Sequence, residues 1–158
     1  MKLDANALKT KRILLGVTGG IAAYKSAILV RRLKDYGFDV RIVMTQGAQA
    51  FITPLTFQAL SGNPVHTELL DPAAEAGMGH IELARWADLL LVAPASCDTL
   101  AKFAHGLADD LLSTVYLATR APVWVAPAMN QQMWAAKSTQ RNLTTLVEDG
   151  VHVVMPEA

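Results

Sequence analysis

The sequence predicts an α/β fold: a doubly wound parallel sheet in a single-domain, three-layer sandwich of Rossmann-like or flavodoxin-like type. Three observations predict it. Short, continuous apolar runs recur along the chain and stop at glycine or proline, as strands covered on both faces do. Longer stretches with helical spacing of apolar residues lie between them. The first run opens directly into a glycine turn followed by a helical pattern. Strands alternating with helices in this way build a parallel sheet with right-handed crossovers.

Ile13 to Val17 is the first strand, broken at Thr18-Gly19-Gly20. Ile21 to Tyr36 follows as a helix. Ala22, Ile28, Leu29 and Leu33 form its apolar side, Lys25, Arg31, Arg32 and Lys34 its polar side, and Gly37 stops it. Val40 to Met44 is the second strand, and Gln46 to Leu60 a helix interrupted at Thr53-Pro54. A short helix carries His80 in its first turn. Asp88 introduces a fully buried strand, Leu89 to Ala93, which Pro94 ends. Leu100 to Ala118 is mostly helical with a break at Gly106. Val123 to Ala126 is a strand ended by Pro127, Asn130 to Asp149 is helical in two pieces, and Val151 to Met155 is the last strand.

Length and composition bound the function. The 158 residues make one domain, 1–158, large enough to bury roughly 70% of its unfolded-state surface. With 52% hydrophobic and 18% charged residues, a disordered chain is excluded. Lys+Arg and Asp+Glu both number 14, so nothing steers the chain toward nucleic acid or an anionic membrane. An apolar-rich, weakly charged domain makes self-association the default expectation. The single Cys97 excludes a disulfide framework and a multi-cysteine zinc site and suits a reducing compartment. Neither a signal-peptide core near the start nor a membrane-length apolar run is present, so the expected location is cytoplasmic.

In open parallel sheets ligands bind beyond the carboxyl ends of the strands, and four segments fall there. In Gly16 to Lys25 the glycines let backbone approach a phosphate at a helix start. The dinucleotide fingerprint fails for want of its third glycine, and Tyr24 before Lys25 breaks the phosphate-loop ATPase pattern. A generic phosphate-binding turn remains, beside the plainer reading of a packing turn. In Ala93 to Thr99, Ser96 and Thr99 can donate to phosphate oxygens or simply cap a helix. In Ala126 to Trp134, Asn130 can recognise a carboxylate or cap a helix. Gly77 to Asp88 brings His80, a candidate proton acceptor or relay. His80 lacks a Cys or His partner at ligand spacing, so no metal is expected.

Together these segments resemble the homo-oligomeric flavin-containing Cys decarboxylases. The resemblance rests on GGIAAYK at Gly19 to Lys25, GHIELARWAD at Gly79 to Asp88, PASCDT at Pro94 to Thr99 and PAMNQQMW at Pro127 to Trp134. FITPLTFQALSGNPV and LLDPAAEAGMGHIELA resemble the bacterial branch that acts on phosphopantothenoylcysteine in coenzyme A biosynthesis. In that branch a phosphopantothenate–cysteine ligase domain is fused behind this one. The resemblance implies FMN bound between protomers of a trimer or a dodecamer. Gly19, Gly20, Ile21, Thr45, Ser96, Cys97, Asp98 and Thr99 would hold it, with Ala128 reaching it from the adjacent protomer. His80 would be catalytic, and Asn130 and Met129 would bind substrate.

The chemistry implied is oxidative decarboxylation. Hydride transfer from the cysteine side chain to FMN gives a thioaldehyde, which acts as electron sink while carbon dioxide leaves; the resulting enethiol is then reduced to the phosphopantetheine product. Asp98 stands where the family has asparagine, and Cys97 where it has alanine. The family's flap cysteine, the final proton donor, follows the last strand. A chain ending at Pro156-Glu157-Ala158 is expected to lack that flap and to stall before the last reduction. Two other readings share the fold: a peptidyl-cysteine decarboxylase of lantibiotic type, which stops at the enethiol, and a flavin-binding phosphatase-regulatory subunit.

Overall fold

A computed structural model describes residues 10–69 and 78–155. The strands are β1 (Arg12–Val17), β2 (Asp39–Met44), β3 (Val65–His66), β4 (Leu89–Ala95), β5 (Val123–Pro127) and β6 (His152–Val153). The helices are α1 (Ala23–Asp35), α2 (Pro54–Ser61), α3 (His80–Trp86), α4 (Cys97–His105), α5 (Leu111–Ala118), α6 (Gln131–Ala135) and α7 (Lys137–Glu148). All strand pairs are parallel, in the order β3-β2-β1-β4-β5-β6. The chain winds outward from β1 to β3, then returns to the other side of β1 with β4. The carboxyl ends of β1 and β4 therefore flank the switch point where this architecture binds ligands.

Side-chain alternation divides the core. Leu15, Val17, Val40, Ile42 and Met44 pack with Ala23, Val30 and Phe57 beneath α1 and α2. Leu14, Val43, Leu90, Val92 and Val125 pack on the other face with residues of α3, α4, α5 and α7, including Leu83, Phe103, Val115 and Leu146. Each fully buried aliphatic side chain contributes about 1.5–3 kcal/mol.

The expected elements are present, and the differences have physical causes. β3 was not foreseen: two residues carry no readable period, and pairing with Ile42 and Val43 creates the strand. β4 does not end at Pro94, nor β5 at Pro127. The β4–β5 register shifts between Val92 and Ala95, so the ladder accommodates the lack of an N–H donor at Pro94. The Ala93–Pro94 peptide is cis. α4 begins at Cys97 because Ser96 caps it, and it ends at Gly106, whose φ of 71° is left-handed. Asp110 then starts α5 with a capping box, so the expected Leu100–Ala118 helix is two. Gln46 to Leu60 resolves into a 3-10 turn, Ala48–Ala50, and α2, capped by Thr53. The last strand is confined to His152–Val153, and Ile21 and Ala22 form a turn before α1.

β4 is not fully buried. Leu90 and Val92 are inaccessible, but Leu89, Leu91 and Ala93 are only half-buried. Their face continues to Trp124, opposite Leu91, which is 42% exposed and stacks on His152 at 4.9 Å. Helices lie on both faces of the sheet, yet the β5–β6 half of this face stays accessible.

Candidate functional site

The switch point is tied together by one buried hydroxyl. Thr18 follows β1 and is fully buried. Its Oγ1 donates to the Pro94 carbonyl at 2.6 Å and accepts the Ser96 N–H at 2.8 Å; its own N–H donates to the same Pro94 carbonyl at 3.3 Å. Buried Ser26 on α1 donates to the Ala93 carbonyl at 2.6 Å. The exits of β1 and β4 and the first helix thus form one unit. The strand–turn–helix pattern marked this turn, but neither Thr18 nor Ser26 was singled out. The readable signal was a β-branched hydroxyl residue placed directly after a buried strand.

The glycine turn has a steric reason. A Cβ on Gly19 would lie 3.2 Å from the Gly47 backbone, so the loops after β1 and β2 touch main chain to main chain. Thr45 fixes the second loop: its N–H donates to the Val17 carbonyl at 3.0 Å, and its hydroxyl accepts the Ala48 N–H at 3.2 Å. Around Gly20 a Cβ would meet nothing within 4 Å, and Ile21 is 79% exposed. Ala22 stands at the N-cap of α1 and offers no side-chain cap. Among the described residues no hydrogen bond occupies the N–H groups of Gly20, Ile21 and Ala22. Unclaimed amides at a helix start receive anions, so the turn fits a phosphate group.

At the end of β4, Ser96 accepts the Thr99 N–H and donates to the Thr99 hydroxyl, both at 3.1 Å. Ser96 therefore caps α4, whereas Thr99 is the capped residue and not itself a cap. Cys97 Sγ lies 3.4 Å from Thr139 Oγ1 of α7. Asp98 is exposed, with its carboxylate 3.5 Å from Lys102 Nζ. Asp109 and Asp110 also approach that ammonium, at 3.3 and 3.4 Å. Burial alone would lower the Lys102 pKa, but Asp110, Asp109 and Asp98 outweigh it and raise it above its ordinary range.

At the end of β5, the Ala128 N–H donates to the Ala95 carbonyl at 3.1 Å. Met129 packs half-buried against the core. Asn130 is exposed; its Oδ1 accepts the Met133 N–H at 2.9 Å and caps α6, which leaves the amide nitrogen to meet another acceptor. His80 is the half-buried first residue of α3. A right-handed crossover from β3 to β4 runs α3 antiparallel to the strands, so His80 stands at the same carboxyl edge. Among the described residues no hydrogen bond joins its ring to another candidate. Gly77, expected to lead into α3, lies outside the described residues. A cavity of about 280 Å³ lies elsewhere, between α7 and β6, and is lined by Trp134, Leu143, Val147, Val153 and Met155 among others. None of the candidate residues lines it.

A parallel six-stranded sheet of this order, with a glycine turn and an uncapped helix at its switch point, places the chain in the nucleotide-fold class, whose switch points receive ligands. Within that class the chain belongs to the flavoprotein family, whose model matches residues 2–158. It is 59% identical over 152 residues to the coenzyme A biosynthesis bifunctional protein CoaBC of Escherichia coli, covering 96% of this chain and 37% of that protein. The Bacillus subtilis protein of the same name is 44% identical over 149 residues, covering 94% and 37%. The chain thus spans 37% of the length of these curated relatives.

Solved structures agree. The FMN-dependent cysteine decarboxylase SpaF superposes with a TM-score of 0.88 at 38% identity, covering 96% of this chain and 87% of that one. A cysteine-to-serine mutant of PPC decarboxylase complexed with pantothenoylaminoethenethiol gives 0.78 at 33%, covering 94% and 84%.

Proposed function

We propose that this chain is an FMN-dependent phosphopantothenoylcysteine decarboxylase domain of coenzyme A biosynthesis. The observation that carries the reading is the Thr18 staple, which sets an uncapped glycine turn at the switch point of a flavoprotein-family fold. The N–H groups from Gly20 to Ala22 take the FMN phosphate, and Gly19 keeps the turn clear of Gly47. Thr45 lines the neighbouring loop. Ser96 and Thr99 shape the end of β4. Cys97 and Asp98 contribute through their backbone at the start of α4, because Sγ is engaged with Thr139 and the carboxylate with Lys102.

When bound, FMN supplies a hydride acceptor, and with it the electron sink that an amide-linked cysteine carboxylate lacks. The amide of Asn130 donates to the substrate carboxylate and fixes which bond breaks. Met129 borders the same loop. His80 accepts or relays the proton shed by the thiol. Ala128 approaches the flavin from an adjacent copy in a trimer or dodecamer. The accessible β5–β6 face, with Trp124 stacked on His152, supports such self-association. The length of the CoaBC relatives supports a fused ligase domain in the whole protein, and the lone Cys97 supports a cytoplasmic setting.

The test is purification followed by a flavin spectrum and turnover of phosphopantothenoylcysteine, with carbon dioxide and thiol products followed by mass spectrometry. The reading expects bound FMN and carbon dioxide release. A colourless preparation that refuses FMN overturns it. Release from a peptide ending in cysteine, but not from phosphopantothenoylcysteine, favours the peptidyl-cysteine reading.

A further inference from the structure

Three buried side-chain nitrogens among the described residues have no hydrogen-bond partner, and they belong to two neighbouring residues: Nε and Nη1 of Arg41 and Nε2 of His66. Arg41 sits in β2 and His66 in β3. His66 pairs with Val43, two residues beyond Arg41, so strand alternation puts both side chains on one face of the sheet. His66 is 8% exposed. Burial and the nearby Arg41 charge push its pKa below the ordinary imidazole value.

Arg41 also lacks a counter-ion among the described residues. Its guanidinium lies over the Trp86 ring at 5.4 Å, and Arg12 lies over the same ring at 6.0 Å. Arg12 is paired with Asp88 at 3.4 Å. The Asp88 carboxylate is further occupied by the Lys11 and Arg12 N–H groups at 3.0 and 2.9 Å. Asp39, two residues before Arg41, holds the Asn63 amide at 3.0 Å. Asp88 and Asp39 are therefore committed elsewhere. Half-buried Arg41 thus holds two buried, unsatisfied guanidinium nitrogens beside a buried, unsatisfied imidazole nitrogen, which is uncommon because desolvated polar groups are costly without partners.

We infer that Arg41 and His66 form an anion-receiving site at the β2–β3 edge of the sheet, taking the oxygens of a carboxylate or phosphate. The site is separate from the switch point, since β2 and β3 lie on the opposite side of β1 from β4. Guanidinium N–H groups form charge-assisted hydrogen bonds to such oxygens, and the anion supplies the missing counter-charge. It comes either from solution or from an acidic side chain of another copy of this chain.

The experiment titrates the purified full chain, saturated with FMN so that the glycine turn is occupied, with inorganic phosphate and, separately, with acetate. It follows the thermal midpoint and the His66 imidazole NMR signals. With a solution anion, one probe raises the wild-type midpoint by about 2–4 °C and shifts the His66 signals saturably, and Arg41→Gln responds to neither. With a carboxylate from another copy, neither probe acts on the wild type, but Arg41→Gln weakens self-association on the order of tenfold or more by sedimentation. His66→Gln gives the same loss if Arg41→Gln is too unstable to purify. Equal responses of wild type and both variants to the anions, together with unchanged association, overturn the inference and leave ordered water as the occupant.

Discussion

At the β1–β4 end of the carboxyl edge, the chain holds its own geometry with buried groups: the Thr18 hydroxyl, the Ser26 hydroxyl and the Gly19–Gly47 contact. At the end that carries Asn130 and His80, the support is slight. One capping bond fixes Asn130, one backbone bond fixes Ala128, and no hydrogen bond aims the His80 ring among the described residues. A preorganised site loses little freedom when its ligand arrives, whereas a loose one is ordered by what binds it. The first end suits a resident cofactor. The second suits groups that become fixed only when substrate or an adjacent copy arrives.

Substitutions can break this contrast. The largest effect is expected at His80. His80→Asn should cut carbon dioxide release on the order of 10²–10⁴-fold while the flavin spectrum persists. Joint loss of flavin and activity would place His80 with the rigid end instead. Thr18→Val comes next. It leaves the Pro94 carbonyl short of a donor and the Ser96 N–H without its acceptor, a loss of about 1–3 kcal/mol. FMN affinity should fall roughly 5- to 150-fold in a fluorescence titration, and Thr18→Ser should restore it. An unchanged affinity for Thr18→Val means that the staple serves stability alone.

Asn130→Asp probes the loose end more gently. Aspartate caps a helix about as well as asparagine, so α6 should persist by circular dichroism. Its charge opposes the substrate carboxylate, and kcat/KM should drop by about tenfold or more. Undiminished turnover refutes the assigned contact.

The smallest effect is expected at Asp110, outside both ends. Asp110→Ala removes the α5 capping box and should cost about 1 kcal/mol, lowering Tm by roughly 2–4 °C with FMN binding intact. Burial alone would raise the Asp110 pKa. The Ser113 hydroxyl and N–H, helped by Lys102, outweigh it and hold the carboxyl below its usual range. The Asp110 contribution is therefore full above the unfolded value of about 3.9 and is lost as pH falls through the lower folded value. Acid melts of the variant should show a shallower loss of stability across that window than the wild type.

The sequence carried the strands that are long and buried, β1, β2, β4 and β5, because continuous apolar runs survive any tertiary context. It did not carry β3, which exists only through its partner, or the passage of β4 through Pro94. Nor did it show that half of one sheet face lies open, since Leu89 to Ala93 read as a fully buried strand. Within the site, Gly19 was legible as a special position, although its cause, the Gly47 backbone, lies in another loop. Thr18 was not, because its acceptor is 76 residues away. Cys97 was legible as part of the segment that follows β4, but the direction of its thiol depends on Thr139, 42 residues distant. Local pattern identifies which residues reach the carboxyl edge; long-range hydrogen bonds decide which atoms they present.

The central claim is that one chain builds the cofactor end of its site at the β1–β4 switch point. A crystal structure of this protein with FMN tests it most directly. The account predicts the FMN phosphate within hydrogen-bond reach of the N–H groups from Gly20 to Ala22, with the Thr18 bonds to Pro94 and Ser96 unchanged. FMN seated instead in the cavity beside Trp134 and Val153, or a phosphate held away from the turn, would contradict it.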